Sequence, residues 1–271
     1  MSGSLELSPG VTRRSRVQIP LAPPLFLTQS SSEMVISNPG PYQNMTPTGT
    51  RLQGIAGIDE AGRGPMIGPM VICGVLLDSE KMDVLKSIGA KDSKMLTPSR
   101  RMKLKGEIEN IAKKVVLRRV SAQDIDARRR HTTLNEIEVT EFAAIAKALK
   151  PDELYLDAAD VIPGRFGEKI GKLSGLASLG TKIVSEHKAD SKYQIVSAAS
   201  ILAKVERDRI IEQLHETYGD FGSGYPNDPK TVKFVKTIVQ KGQKLPVIVR
   251  KSWDSVRKII DDESMHQTRL G

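Results

Sequence analysis

The chain has 271 residues, 39% of them hydrophobic, enough for one large domain with a true core, or for one domain and an appendage. Its formal net charge is +9, and a basic excess of that size favours a polyanionic partner. The single cysteine, Cys73, lies in an apolar run, which excludes an intramolecular disulfide and a cysteine metal site; no apolar run reaches the roughly 18 residues of a membrane span.

Residues 1–50 contain no lysine, are rich in Ser, Pro, Thr and Gln, and show neither a helical nor a strand period, so they are expected to be disordered. Arg13–Ser32 is basic and free of acids, like a targeting peptide. Pro20, Pro23 and Pro24 would break an amphipathic helix, and Pro24–Leu27 is too short for a signal core. The expectation is a cytoplasmic protein whose functional product begins later, near Met34 or Met45.

From Gly54 the pattern becomes globular. Ile55–Asp59 reads as a strand, Met70–Leu77 as a buried second strand and Lys114–Val120 as a half-exposed third. No long helix separates the first two, which predicts an antiparallel meander. Lys81–Ile88 reads as a short helix, and Thr97 caps another that begins at Pro98 and runs to about Lys113. Helices near Ser121–Arg130 and Thr133–Leu149 precede a fourth strand, Glu153–Asp157. A helix over Phe166–Leu173, a fifth strand over Thr181–Ser185 and a long helix over Tyr193–Tyr218 follow. The tail carries helices near Pro229–Gln240 and Trp253–Ile260. This order predicts an α/β protein: a mixed five-stranded sheet flanked by helices, with strands four and five parallel to a neighbour. The expected divisions are an extension over 1–50, a catalytic domain over 51–220 and a helical C-terminal region over 221–271.

Four acids stand out by position. Asp59 and Glu60 close the first strand, Asp157 closes the fourth, and Asp190 precedes the long helix. Ligands of open α/β sheets bind at the carboxyl ends of strands, so neighbouring first and fourth strands would bring Asp59 and Asp157 together. Clustered buried carboxylates repel, and a divalent cation removes that cost; all-oxygen ligation favours Mg²⁺ or Mn²⁺ over zinc. Two such ions are the usual device for phosphodiester hydrolysis. Against this, Asp190 alone would serve as a helix N-cap and Asp157 alone as a turn residue, and Asp160 reads as the solvent-facing acid of its pair. Successive strand residues point to opposite faces, so Asp59 and Glu60 share a site only if the strand ends between them. Gly62-Arg63-Gly64 with Gly68 also offers a dinucleotide-binding reading. Two carboxylates directly ahead of it would repel a pyrophosphate, and Pro65 removes an N–H, which argues against that reading.

Asp59-Glu60-Ala61-Gly62-Arg63-Gly64-Pro65 resembles the signature of ribonuclease HII. The likeness continues at Lys91–Lys94, Leu156-Asp157, His187–Tyr193, Ser197–Asp208 and Gly222–Pro229, in family order over about Gly54–Trp253, with an archaeal style at Asp157–Asp160 and Arg250–Trp253. The resemblance implies an RNase H-like fold. It also implies hydrolysis of the RNA strand of RNA–DNA hybrids and incision 5′ to a ribonucleotide embedded in duplex DNA, leaving 3′-hydroxyl and 5′-phosphate ends. By position it implies Asp59, Glu60, Asp157 and Asp190 as metal-binding catalytic acids, with Mg²⁺ or Mn²⁺ bound, two ions during catalysis. Gly62, Arg63 and Gly64 would meet the ribose 2′-hydroxyl and adjacent phosphate, and Tyr225 the ribonucleotide junction. Lys94 and Lys192 are candidate phosphate contacts, and His187 a candidate proton shuttle or a packing residue. Ser200 and Lys204, one helical turn apart, are structural or phosphate-facing. A monomer acting on hybrid or ribonucleotide-containing duplex is expected, and a replication-clamp partner does not follow from the residues. The rival readings are a non-catalytic hybrid-binding module, whose mark would be loss of an acid, and another RNase H-like nuclease acting on all-DNA substrates.

Overall fold

The computed structural model describes residues 32–37, 53–90 and 96–270. Six strands, β1 (Ser32–Ser37), β2 (Gly54–Ala61), β3 (Met70–Asp78), β4 (Lys114–Val120), β5 (Glu153–Asp157) and β6 (Lys182–Glu186), form one sheet in the order β1-β4-β3-β2-β5-β6. The helices are α1 (Met82–Ile88), α2 (Pro98–Ile111), α3 (Ala122–Arg128), α4 (Leu134–Leu149), α5 (Pro163–Ser174), the short α6 (Ala189–Lys192), α7 (Gln194–Tyr218), α8 (Pro229–Gln240) and α9 (Asp254–Leu270). The expected antiparallel meander is β2-β3-β4, and β5 and β6 run parallel to β2 and to each other through helical crossovers.

The sheet has six strands rather than the expected five. Ser32–Ser37 pairs antiparallel with β4, from Ser32↔Arg119 to Ser37↔Lys114, so these residues correct the reading of 1–50 as uniformly disordered. The other residues of that stretch lie outside the described residues. An edge strand of six residues carries too little alternation to show a period. Its support is tertiary: Met34 and Ile36 pack on the core, and Glu33 pairs with Arg118 at 2.6 Å. A product beginning at Met45 would lack this strand. The last helix also extends beyond its expected end at Ile260, and Glu263 on it pairs with Lys236 of α8 at 2.8 Å.

Two helical layers sandwich the sheet. On one face α7 and α2 cover Val71, Cys73, Val75 and Leu117; on the other α4 and α5 cover Ile58, Ile72 and Val116. Hence β3 is apolar along nearly its whole length, as a strand buried on both faces must be. The closest packing is at Gly57, where an added Cβ would lie 2.5 Å from the carbonyl carbon and oxygen of Ile195. With no side chain there, α7 lies against β2 in backbone contact and runs along it toward Asp59. Among the described residues, no helix is long and apolar enough to cross a membrane.

Candidate active site

The parallel register of β2 and β5 ends at Ile58↔Leu156, so Asp59 and Asp157 are the next residues on two adjacent strands. Asp190 arrives on α6, whose first amide, Ala189 N–H, donates to Asp157 Oδ1 at 3.1 Å. One carboxylate oxygen from each of Asp59, Asp157 and Asp190 lies within 4.8 Å of the other two. Asp59 and Asp190 are buried and Asp157 is half-buried. Asp190 therefore sits inside the first turn of a helix that faces the cluster, rather than acting as its N-cap.

Asp59 is held from two sides. Its Oδ1 accepts the Glu60 amide at 2.7 Å, and Ser200 of α7 hydrogen-bonds its carboxylate. Lys204 Nζ in turn donates to Ser200 Oγ at 2.9 Å. Burial, followed by the neighbouring Asp157, raises the Asp59 pKa to about 7, with Ser200, the Glu60 amide and Lys204 pulling the other way. The i, i+4 spacing of Ser200 and Lys204 is the sequence signal for this pair, and the fold assigns it to Asp59.

Glu60 takes the opposite face of β2, as strand alternation requires. It is not part of the three-aspartate group. Burial, then Asp59, Glu138 and Asp157, hold its pKa well above the ordinary carboxylate range, and Arg63 opposes them. Its Oε2 is buried with no hydrogen-bond partner among the described residues. Asp157, at the end of the neighbouring strand β5, thus acts electrostatically on both Asp59 and Glu60. Glu138 of α4 is fully buried, and burial pushes it up to about 7 against the pull of Arg63. Sequence reading misses it, because its position on α4 carries no motif.

The loop after β2 does not leave its arginine free. Arg63 Nε donates to Glu138 Oε1 at 2.8 Å and Nη2 to Asn135 Oδ1 at 2.6 Å, although the side chain stays 40% exposed. Gly62 adopts φ +82°, and a Cβ there would meet Arg207 Cδ at 2.6 Å and the Pro69 carbonyl at 2.7 Å, so this glycine is required by the fold itself. At Gly64 a Cβ would meet only Tyr225, at 3.9 Å, so this glycine opens onto the Tyr225 ring. Tyr225 stands partly exposed with its ring over the Arg207 guanidinium at 5.0 Å, and Arg207 Nη2 is anchored on the Ser223 carbonyl at 2.9 Å.

The remaining candidates are more peripheral. Lys192 is exposed and pairs with Glu186. Lys94 lies outside the described residues. The His187 ring lies against two carbonyls, Nδ1 3.2 Å from Ala158 O and Nε2 3.3 Å from Val161 O, tying down the chain that follows β5. Asp160, expected to face solvent, is buried: Arg165 donates to its Oδ1 at 2.6 Å and the Ile162 amide at 3.1 Å. Its aspartate caps the turn into α5, and the Arg165 pair supplies the partner that a buried carboxylate needs.

Residues 56–256 match the family model described as Ribonuclease HII. The chain is 48% identical to the Ribonuclease HII of Pyrococcus furiosus, over 80% of this chain and 95% of that protein. Among solved structures it is similar to ribonuclease H2 from Pyrococcus horikoshii, with TM-score 0.72 and 42% identity over 78% of this chain and 99% of that one. It is also similar to the PCNA:RNase HII complex from Archaeoglobus fulgidus, with TM-score 0.68 and 45% identity over 74% of this chain and 95% of that one.

Proposed function

Because the chain belongs to the ribonuclease HII family, whose members cleave the RNA of RNA–DNA hybrids, we propose that it also incises 5′ to ribonucleotides embedded in duplex DNA. The reaction is hydrolysis assisted by divalent cations, two at the site during catalysis, leaving 3′-hydroxyl and 5′-phosphate ends. The observation that carries this reading is the convergence of Asp59, Asp157 and Asp190 within 4.8 Å, next to the glycine loop.

The residues fit a hard divalent cation. All donors are carboxylate oxygens, which suits Mg²⁺ or Mn²⁺. Glu60 Oε2 is a buried acceptor whose hydrogen-bonding capacity nothing described in the protein meets. When bound, such ions neutralise charge and supply Lewis acidity for in-line attack at phosphorus. Asp59, Glu60, Asp157 and Asp190 would hold them, with Asp157 serving both faces of β2. Gly62-Arg63-Gly64 would read the ribose 2′-hydroxyl, the group that distinguishes RNA from DNA locally. Tyr225, propped on Arg207, would pack against the sugar at the junction. Arg63, Lys192 and Lys94 would contact phosphates, so that 51–220 supplies the chemistry and 221–271 completes the substrate surface. PCNA is a proposed partner on the strength of the Archaeoglobus complex, and co-elution of the full chain with PCNA from its own source would test it.

The test is a duplex DNA carrying one ribonucleotide, incubated with Mg²⁺ and with Mn²⁺. A single incision 5′ to that residue, with 3′-hydroxyl and 5′-phosphate ends, is expected. Equal cutting of the all-DNA duplex would sink the reading.

A further inference from the structure

The glycine loop is gripped from one side by the segment between α8 and α9. Arg250 on that segment is fully buried. Its Nη2 donates to Gly62 O at 2.6 Å, its Nη1 to Arg63 O at 2.8 Å and its Nε to Gly68 O at 3.0 Å. Trp253 Nε1 donates to Gly64 O at 3.1 Å, and the Arg250 amide donates to Met66 O at 2.8 Å. Three successive carbonyls, of residues 62, 63 and 64, therefore all accept from two side chains.

Peptide geometry turns this grip into an orientation. In a trans peptide the N–H of one residue points opposite to the C=O of the residue before it, and no cis bond occurs among the described residues. Holding Gly62 O inward aims the Arg63 amide outward, and holding Arg63 O inward does the same for the Gly64 amide. After Gly64 the next residue is Pro65, which has no N–H. Among the described residues, no hydrogen bond engages the amides of Arg63 or Gly64, whereas those of Met66 and Ile67 donate to Gly224 O and that of Gly68 to Ile248 O.

We propose that Arg250 and Trp253 are positioning residues that aim the Arg63 and Gly64 amides at the substrate's ribose 2′-hydroxyl. This rests on the ribose-reading role proposed above for the loop. The cost of the arrangement supports it. Arg250 makes no ion pair among the described residues, and burial, then Arg207 nearby, lowers its affinity for its proton against the weaker opposing pull of Tyr225, Asp126 and Glu138. An unpaired buried guanidinium is an expensive way to fill space, and an apolar side chain would fill it at lower cost. What the guanidinium adds is a planar fork of fixed donors that reaches three carbonyls at once. Trp253 keeps that fork in place: its ring lies 4.7 Å from the Arg250 guanidinium and 4.9 Å from that of Arg129.

The experiment uses the full chain and two variants. Trp253→Phe keeps the ring between the arginines and removes only the donor to Gly64 O. Arg250→Lys keeps the charge but cannot span three carbonyls. Affinity is measured with Ca²⁺ for a duplex carrying one ribonucleotide and for the all-DNA duplex of the same sequence, beside KM and kcat with Mg²⁺, Mn²⁺ affinity and thermal unfolding. In a folded Trp253→Phe protein the preference for the ribonucleotide duplex should fall about tenfold, mainly through KM, with Mn²⁺ affinity unchanged. Arg250→Lys should lose more. If it does not fold, Trp253→Phe decides the matter. Unchanged preference in Trp253→Phe, or loss of activity on every substrate alike, overturns the positioning role. If the wild type itself shows no preference, the ribose-reading role fails and takes this one with it.

Discussion

Arg63 Nε donates to Glu138 Oε1 at 2.8 Å, so the charged side chain of the glycine loop is tied to a carboxylate that solvent does not reach. Arg63 therefore neutralises Glu138, and its exposed edge is the part proposed to meet a phosphate. Arg63→Ala should cost about 2 kcal/mol of stability, because it strands a buried acid, discounted for the exposure of the arginine. Adding Glu138→Gln should recover most of that loss in denaturant unfolding. The single variant should also bind duplex more weakly, with the slope of log affinity against log salt reduced by about one. Full recovery of stability with an unchanged slope would leave Arg63 a purely structural residue.

Ser200 links Lys204 to Asp59 and so fixes the rotamer of the carboxylate at the end of β2. Ser200→Ala should weaken Mn²⁺ binding about tenfold, within the usual range for removing a partner of a metal ligand. Calorimetric titration of the metal checks this. Affinity equal to wild type would show that Asp59 needs no such support.

Burial raises Asp59 and Glu138 to about 7 and holds Glu60 well above the ordinary range, whereas free carboxylates titrate near 4. Between those limits the folded protein binds more protons than the unfolded chain. The contribution of these acids to stability is thus complete below about pH 4 and is lost as pH rises through about 7. The metal-free protein should melt at a lower temperature at about pH 8 than at about pH 5.5, and Mn²⁺ should raise the melting temperature more at the higher pH. Thermal scans of wild type and Asp59→Asn, with and without Mn²⁺, test this. A wild-type slope of the opposite sign, or one that Asp59→Asn leaves unchanged, would contradict it.

Gly57→Ala should destabilise by about 3 kcal/mol or prevent folding, since its Cβ would fall 2.5 Å from the Ile195 backbone and lift α7 off β2. Circular dichroism melting measures the loss. A change below about 0.5 kcal/mol would mean that α7 is not seated as described.

The features legible in the amino-acid sequence are mostly local or periodic. The limits of β4, β5 and α8 follow from apolar runs, and Thr97 caps α2 by accepting from the Arg100 amide, as its Thr-Pro start implies. Asp59, Asp157 and Asp190 are legible as a group because strand ends meet at one edge of a parallel pair. What escapes depends on contacts between distant segments. Strand β1 exists because β4 offers it an edge, and its own six residues do not announce it. Glu138 is a buried acid held by Arg63, 75 positions away, and that pairing leaves no trace in spacing. Arg250 stands out in the sequence only as part of the run Arg250–Trp253. Its hold on carbonyls more than 180 positions away arises only once the chain is folded.

The aspartates gathered where β2, β5 and α6 meet are proposed to hold the cations that drive hydrolysis. The most direct test compares wild type with Asp157→Asn, which removes the charge that acts on both Asp59 and Glu60, on a duplex carrying one ribonucleotide. The variant should bind the duplex within about twofold of wild type, while Mn²⁺ affinity falls and Mg²⁺-dependent cleavage drops by about 10³-fold or more. Cleavage by Asp157→Asn at near the wild-type rate would contradict it.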